Sequence, residues 1–231
     1  MTEPTLHLHE EILLLALDDD KGTTDMGSMW QQAAAGAMVA ELLLAGRLAT
    51  TEEKKPKLLV KDPAPLGDPL LDGFLAEVAA RDKPRKGSDW VQRLGQRGKL
   101  KERIAAELVR KRVLREEAGK ILWIFNTTHY PERDGRHERE VLTRLRRAIL
   151  GNDRDVAPRT MVLVALADAA GLLQKVFDKK QLKERKERLK AIREGEAAGK
   201  MTREAIEAVQ AAVFVATVMP AIVATTVTSS N

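Results

Sequence analysis

The chain has no cysteine. That absence excludes a disulfide framework, thiolate zinc sites, iron–sulfur ligation and a cysteine nucleophile, and it fits a reducing compartment. Aromatic residues are scarce, with three Trp, one Tyr and four Phe in 231 positions. The core must therefore be aliphatic. Only four serines occur, Ser28, Ser88, Ser229 and Ser230, and none stands in the Gly-x-Ser-x-Gly turn that exposes a nucleophilic hydroxyl. A Gly-rich phosphate loop and a dinucleotide fingerprint behind a strand are both missing. His7 and His9 precede a helix, His129 and His137 flank an arginine-rich turn, and Asp18, Asp19 and Asp20 form an acidic helix end. None of these has the ligand spacing of a zinc or calcium site. The sequence predicts a non-enzymatic protein without cofactor or metal.

Residues 1–8 carry acids and histidines in place of a basic stretch and an apolar run, so no signal peptide is expected and the predicted location is cytoplasmic. Near the other end, Ala211 to Val227 is a run of 17 residues without a charge, close to membrane-anchor length. Pro220 interrupts it, and its Ala and Thr residues contribute little transfer energy. A core helix with a frayed tail is the expectation, within one domain spanning 1–231 and flexible at about 1–6 and 226–231.

What the chain does have is leucine and alanine, 44% hydrophobic residues and 32% charged ones, with a net charge of +5. This composition predicts a mainly α fold, a compact helical bundle with one or two small β-hairpins. Helical periodicity marks His9 to Leu17 and Trp30 to Ala45, the second apolar almost throughout and stopped by Gly46. Further helices are expected at Leu70 to Ala80, around Leu100, Ile104, Leu108 and Val109, at Glu138 to Leu150, Pro158 to Phe177, Lys180 to Glu196 and Thr202 to Val218, with breaks at Gly151 and Gly171. Arg47 to Thr51 and Lys57 to Lys61 read as a hairpin. Three prolines make Asp62 to Pro69 an ordered extended loop.

Two features point toward function. From Lys83 to Arg112, eleven Lys or Arg stand against three acids, a net of +8 in thirty residues. Such a face suits the phosphates of nucleic acid or of anionic lipid, or is a solvated helix surface. The second feature is Ile121-Leu122-Trp123-Ile124-Phe125, an apolar run with two aromatics where aromatics are rare. As a core strand it would be buried; as a hairpin tip, three side chains entering a bilayer would gain about 5 kcal/mol before entropy costs.

The order of several motifs is similar to that of the Golgi phosphoprotein 3 family. They are Glu10-Glu11-Ile12-Leu13-Leu14-Leu15-Ala16-Leu17, Lys21-Gly22, Glu41 to Leu48, Ala64 to Asp72, Asp89-Trp90, Lys101-Glu102-Arg103 with Leu108-Val109 and Val113-Leu114, and Ile121 to Pro131. Together they span about residues 8 to 215. The resemblance implies a helical domain with a projecting apolar hairpin, acting as a peripheral membrane adaptor on the cytosolic face that recognises phosphatidylinositol 4-phosphate. It also implies a hairpin at Glu116 to Thr128, so that Ile121, Leu122, Trp123, Ile124 and Phe125 form the membrane-inserting tip. Golgi members bind the cytosolic tails of glycosyltransferases; no sequence feature here identifies an equivalent client.

The family's headgroup pocket uses a tryptophan and three arginines. By resemblance Trp30 lies one turn beyond the tryptophan position, Ala35 and Gly98 fall on two arginine positions, and Lys101 keeps a charge on the third. Arg97 and Lys99 flank Gly98, and Arg103 follows, so the expected lipid-headgroup set is Lys101, Arg97, Lys99, Arg103 and Trp30. Lysine lacks arginine's bidentate fork, so charge attraction to any anionic phospholipid carries more of this set than phosphate geometry does. The Ala- and Arg-rich, Cys-free composition suggests a bacterial member. The apolar hairpin is equally a surface for homo-oligomerisation. The alternative function is a winged-helix-like nucleic-acid-binding regulator, disfavoured because the helix at Trp30 to Ala45 is too apolar to read bases.

Overall fold

A computed structural model of the protein describes residues 4–18, 24, 29–121, 125–153, 155–196, 198–199, 202–203 and 205–207. Helix α1 (Leu8–Ala16) starts where the Glu10 carboxylate accepts the His7 N–H at 2.7 Å, and every residue of it is buried. It packs on α2 (Trp30–Leu44), which is buried from Ala33 through Leu43. A helix that is apolar all round belongs at the centre of a bundle, and α2 also touches the helices that follow on three further sides. Its end carries Gly46 at φ +68, with Arg47 N–H donating to Leu42 O at 2.8 Å, the Schellman closure that favours glycine.

Strands β1 (Leu48–Thr50) and β2 (Lys57–Val60) pair antiparallel with Leu48 opposite Val60, as the hairpin expectation requires. The proline-rich loop leads to α3 (Pro69–Ala79), where Asp68 accepts the Leu70 and Leu71 N–H groups at 3.0 and 2.9 Å and Pro69 occupies the first turn. Asp72 holds the loop from the other side, accepting from Leu66 N–H at 2.6 Å and Gly67 N–H at 3.0 Å. A short β3 (Arg85–Lys86) then joins β2, with Lys57 opposite Lys86.

Helix α4 (Gly87–Gly95) buries Trp90, Val91 and Leu94 against α2, and α5 (Leu100–Arg110) buries Leu100, Ile104, Ala105 and Leu108. Strands β4 (Glu117–Ile121) and β5 (Phe125–His129) form an antiparallel hairpin in which Glu117 faces His129 and Ile121 faces Phe125. This pairing decides between the two readings of Ile121 to Phe125: its two ends belong to opposing strands, as the hairpin requires and a single core strand does not allow. The root of the hairpin continues through the Leu114–Glu132 bridge and through Arg115 N–H to Pro131 O at 2.9 Å.

Helix α6 (Arg136–Leu150) and the apolar α7 (Pro158–Ala169) complete the bundle around α1 and α2. The helix expected over Pro158 to Phe177 is divided, since Gly171 at φ +74 closes α7 before the short α8 (Leu173–Val176). Likewise α9 (Lys179–Glu184) and α10 (Lys186–Glu194) are separate: Arg185 leaves helical geometry at φ −102, ψ 17, and its guanidinium bonds Leu150 O at 2.6 Å. Among the described residues no helix is long and apolar enough to cross a membrane. The run 211–227, most of the helix expected at 202–218, both expected flexible ends save residues 4–6, and Asp19 and Asp20 lie outside the described residues.

Candidate functional site

The basic window folds into the α4–α5 corner. Arg97 leaves α4 and donates to the Glu77 carboxylate of α3 at 2.7 Å, with Arg93 3.7 Å from the same acid. The Arg97 hydrogen bond, foremost, holds the Glu77 carboxyl below the usual carboxylate range. Lys99 turns the corner with a left-handed backbone, φ 63 and ψ 25, as the N-cap of α5. It is exposed, as is Arg103 one turn later. Arg103 N–H donates to the Lys99 carbonyl at 3.0 Å, and neither side chain makes a hydrogen bond or ion pair among the described residues.

Lys101 connects this corner to the hairpin. Its ammonium stands 5.8 Å from the centroid of the Tyr130 ring, and Tyr130, which follows β5, is 5% exposed. A cation over an aromatic face is attracted by the ring quadrupole, so the first turn of α5 and the exit of the hairpin are held together. Burial, foremost, raises the Tyr130 hydroxyl above its ordinary pKa. Trp30 behaves differently: it is 4% exposed and part of the core at the start of α2. The neighbouring Gln31 carbonyl would lie 3.5 Å from a Cβ on Gly95, so the tryptophan stands behind the end of α4. Ala35 is fully buried.

The sequence-predicted cations Arg97, Lys99, Lys101 and Arg103 are therefore brought to one corner, with Trp30 packed behind it. Ile121 and Phe125 pair across the hairpin, while Leu122, Trp123 and Ile124 lie outside the described residues. Sequence reasoning missed Tyr130 and Glu77 as partners of the cations. The lone tyrosine beside a proline was the only signal for the first, and for the second there was none.

A second group of charges is buried at the start of α1. The His7 and His9 rings stack at 5.8 Å with 6° between their planes. Glu41 of α2 accepts Leu8 N–H at 2.7 Å, lies 3.5 Å from His7 and binds Arg159, which also reaches the Leu6 carbonyl. Burial alone would raise the Glu41 carboxyl, but His7, Arg159 and the Leu8 amide outweigh it and hold it at about 2. Glu41, foremost, raises His7, whereas desolvation lowers His9 to about 4 despite Asp68 at 3.7 Å. Lys111 bonds Glu10 at 2.6 Å and Arg144 bonds Glu11 at 2.6 Å. These links tie α1 to α2, α5, α6 and α7. Among the described residues no such group has the arrangement to hold a metal ion.

A mainly helical bundle that carries a paired hairpin beside a basic corner is the class these features define. The chain belongs to the Golgi phosphoprotein 3 (GPP34) family, whose profile matches residues 8–209. It is similar to the vacuolar protein sorting-associated protein 74 of Eremothecium gossypii, with 26% identity over 208 residues that cover 76% of this chain. The match spans 62% of that relative's length.

Proposed function

We propose that the protein is a peripheral membrane adaptor without enzymatic activity that docks on the cytosolic face of a membrane through phosphatidylinositol 4-phosphate or another anionic phospholipid. The observation that carries this reading is the Lys101–Tyr130 contact, which sets the basic corner beside the root of the apolar hairpin. Family membership and the sorting protein's name support a role in trafficking. Each basic residue near a negatively charged leaflet adds about 1 kcal/mol, and apolar tip residues supply the second signal that reversible attachment needs. Lys101, Lys99 and Arg103 carry the attraction, with Arg97 partly neutralised by Glu77. Their recognition follows charge density, since Lys101 offers one ammonium in place of a guanidinium fork.

Nucleic-acid reading is disfavoured because α2 has no exposed face to place in a groove. Vesicle co-sedimentation of Trp123→Asp and Phe125→Asp tests the hairpin. Binding to phosphatidylserine vesicles should fall more than about tenfold while the helical circular dichroism is kept. Unchanged binding would overturn insertion. A solution mass that rises with concentration and falls in the same variants would instead make the hairpin a self-association surface.

A further inference from the structure

Seven described residues have a positive φ, and five are glycines: Gly46, Gly67, Gly135, Gly171 and Gly195. The other two are Lys99 at φ 63 and Arg112 at φ 62. Both are exposed cations, and they bracket the same helix, α5.

Each has a glycine counterpart elsewhere in the chain. Arg112 N–H donates to Val109 O and Val113 N–H donates to Leu108 O, each at 2.9 Å, which is the Schellman closure. The ends of α2, α7 and α10 use the same pair of bonds with Gly46, Gly171 and Gly195 at the left-handed position. At the other end of α5, Lys99 is a left-handed N-cap at φ 63, ψ 25. Gly135 fills the same role before α6 at φ 64, ψ 12. A side chain in this region is strained where glycine is not. Strain of this kind is kept where the surroundings or a function require it. Backbone bonds hold both conformations, but neither side chain forms a hydrogen bond or ion pair among the described residues, so no side-chain contact explains why a cation stands at either position.

Arg112 borders the hairpin root, and Lys99 stands in the turn before the helix that contacts it. Lys99 lies two residues before Lys101, which contacts Tyr130, and Arg112 precedes Val113, whose carbonyl accepts Arg133 N–H at 2.9 Å. Arg103 and Arg110 share the outer face of α5 with Lys99 by helical spacing. We propose that Lys99 and Arg112 are anchoring contacts for the phosphates of an anionic bilayer, so that α5 meets the membrane at both of its ends. This rests on the membrane reading above and extends it beyond the predicted set, adding Arg112.

The test is co-sedimentation of the full chain with phosphatidylcholine vesicles carrying phosphatidylserine, at low salt, together with thermal unfolding. Lys99→Gly and Arg112→Gly remove charge where glycine suits the backbone. Each should weaken binding about fivefold, and the double variant more than about tenfold, with Tm unchanged or up to about 3 °C higher. Arg112→Lys should keep binding within about twofold. A control pair on α9, Lys179→Gln and Lys180→Gln, removes the same charge away from the hairpin and should change binding less than about twofold. If the wild type binds and the glycine variants bind equally well, the inference is overturned and the membrane reading stands. The inference is likewise overturned if the control pair loses as much, since net charge then explains the effect. A wild type that ignores anionic vesicles overturns both.

Discussion

The Lys101 ammonium lies over the Tyr130 ring at 5.8 Å from its centroid, and so joins two segments that are 29 positions apart in the chain. Lys101→Gln removes one cation from the corner and leaves the helix propensity of α5 nearly unchanged. Affinity for phosphatidylserine vesicles should drop about fivefold, with Tm shifted by less than about 3 °C. An unchanged affinity would remove Lys101 from the docking surface.

Acid should weaken the fold through His9. Its folded pKa of about 4 lies below the ordinary 6.5, so between these values the unfolded chain binds a proton that the folded chain refuses. The stability it contributes is complete above 6.5 and falls as the pH drops through the window. His7, raised by Glu41, works in the opposite sense, stabilising below 6.5 and losing its contribution as pH rises through its folded value. Glu41, at about 2, adds stability that is lost only as pH falls below its ordinary 4.5. Asp68 and Lys111 also face His9. Urea unfolding should lose about 2 kcal/mol from pH 6.5 to about 4.5 in the wild type, and His9→Phe should flatten that slope. Parallel slopes would count against the assignment.

Arg159→Met strips Glu41 of its guanidinium and leaves a buried carboxylate with His7 and the Leu8 amide alone. The cost should be about 3 kcal/mol in urea unfolding, and adding Glu41→Gln should recover part of it. A loss under about 1 kcal/mol would mean that solvent already screens the pair.

Gly151 follows α6 at φ −70, a conformation open to any residue, yet a Cβ there would collide with the Arg147 carbonyl oxygen. Because that atom is backbone, the last turn of α6 must move. Gly151→Ala should destabilise by about 1–3 kcal/mol; a neutral effect would show that the turn relaxes freely.

The helices with clear periodicity and end signals were legible from the sequence. Gly46 stops α2 as expected, because such a cap is local and needs no tertiary partner, whereas Asp68 and Pro69, read as the end of a loop, cap and open α3. Helix α4 was hidden: Trp90, Val91 and Leu94 are its only large buried side chains, set among cations that read as a charged surface. Strand β3 is two charged residues defined by β2 alone. At the site, counting charge found the corner, but the pairing of Arg97 with Glu77 and of Lys101 with Tyr130 depends on how helices meet, which spacing does not encode. Trp30 was expected at the headgroup; its burial reflects the same limit, since an indole at a helix start suits a core as well as a surface.

Co-sedimentation of the wild-type protein with neutral, phosphatidylserine, cardiolipin and phosphatidylinositol 4-phosphate vesicles, at low and physiological salt, tests the central claim most directly. Membrane docking through the basic corner predicts binding to the anionic vesicles over the neutral ones, weakening as salt rises. Equal sedimentation with neutral and anionic vesicles, or none with any of them, would contradict it.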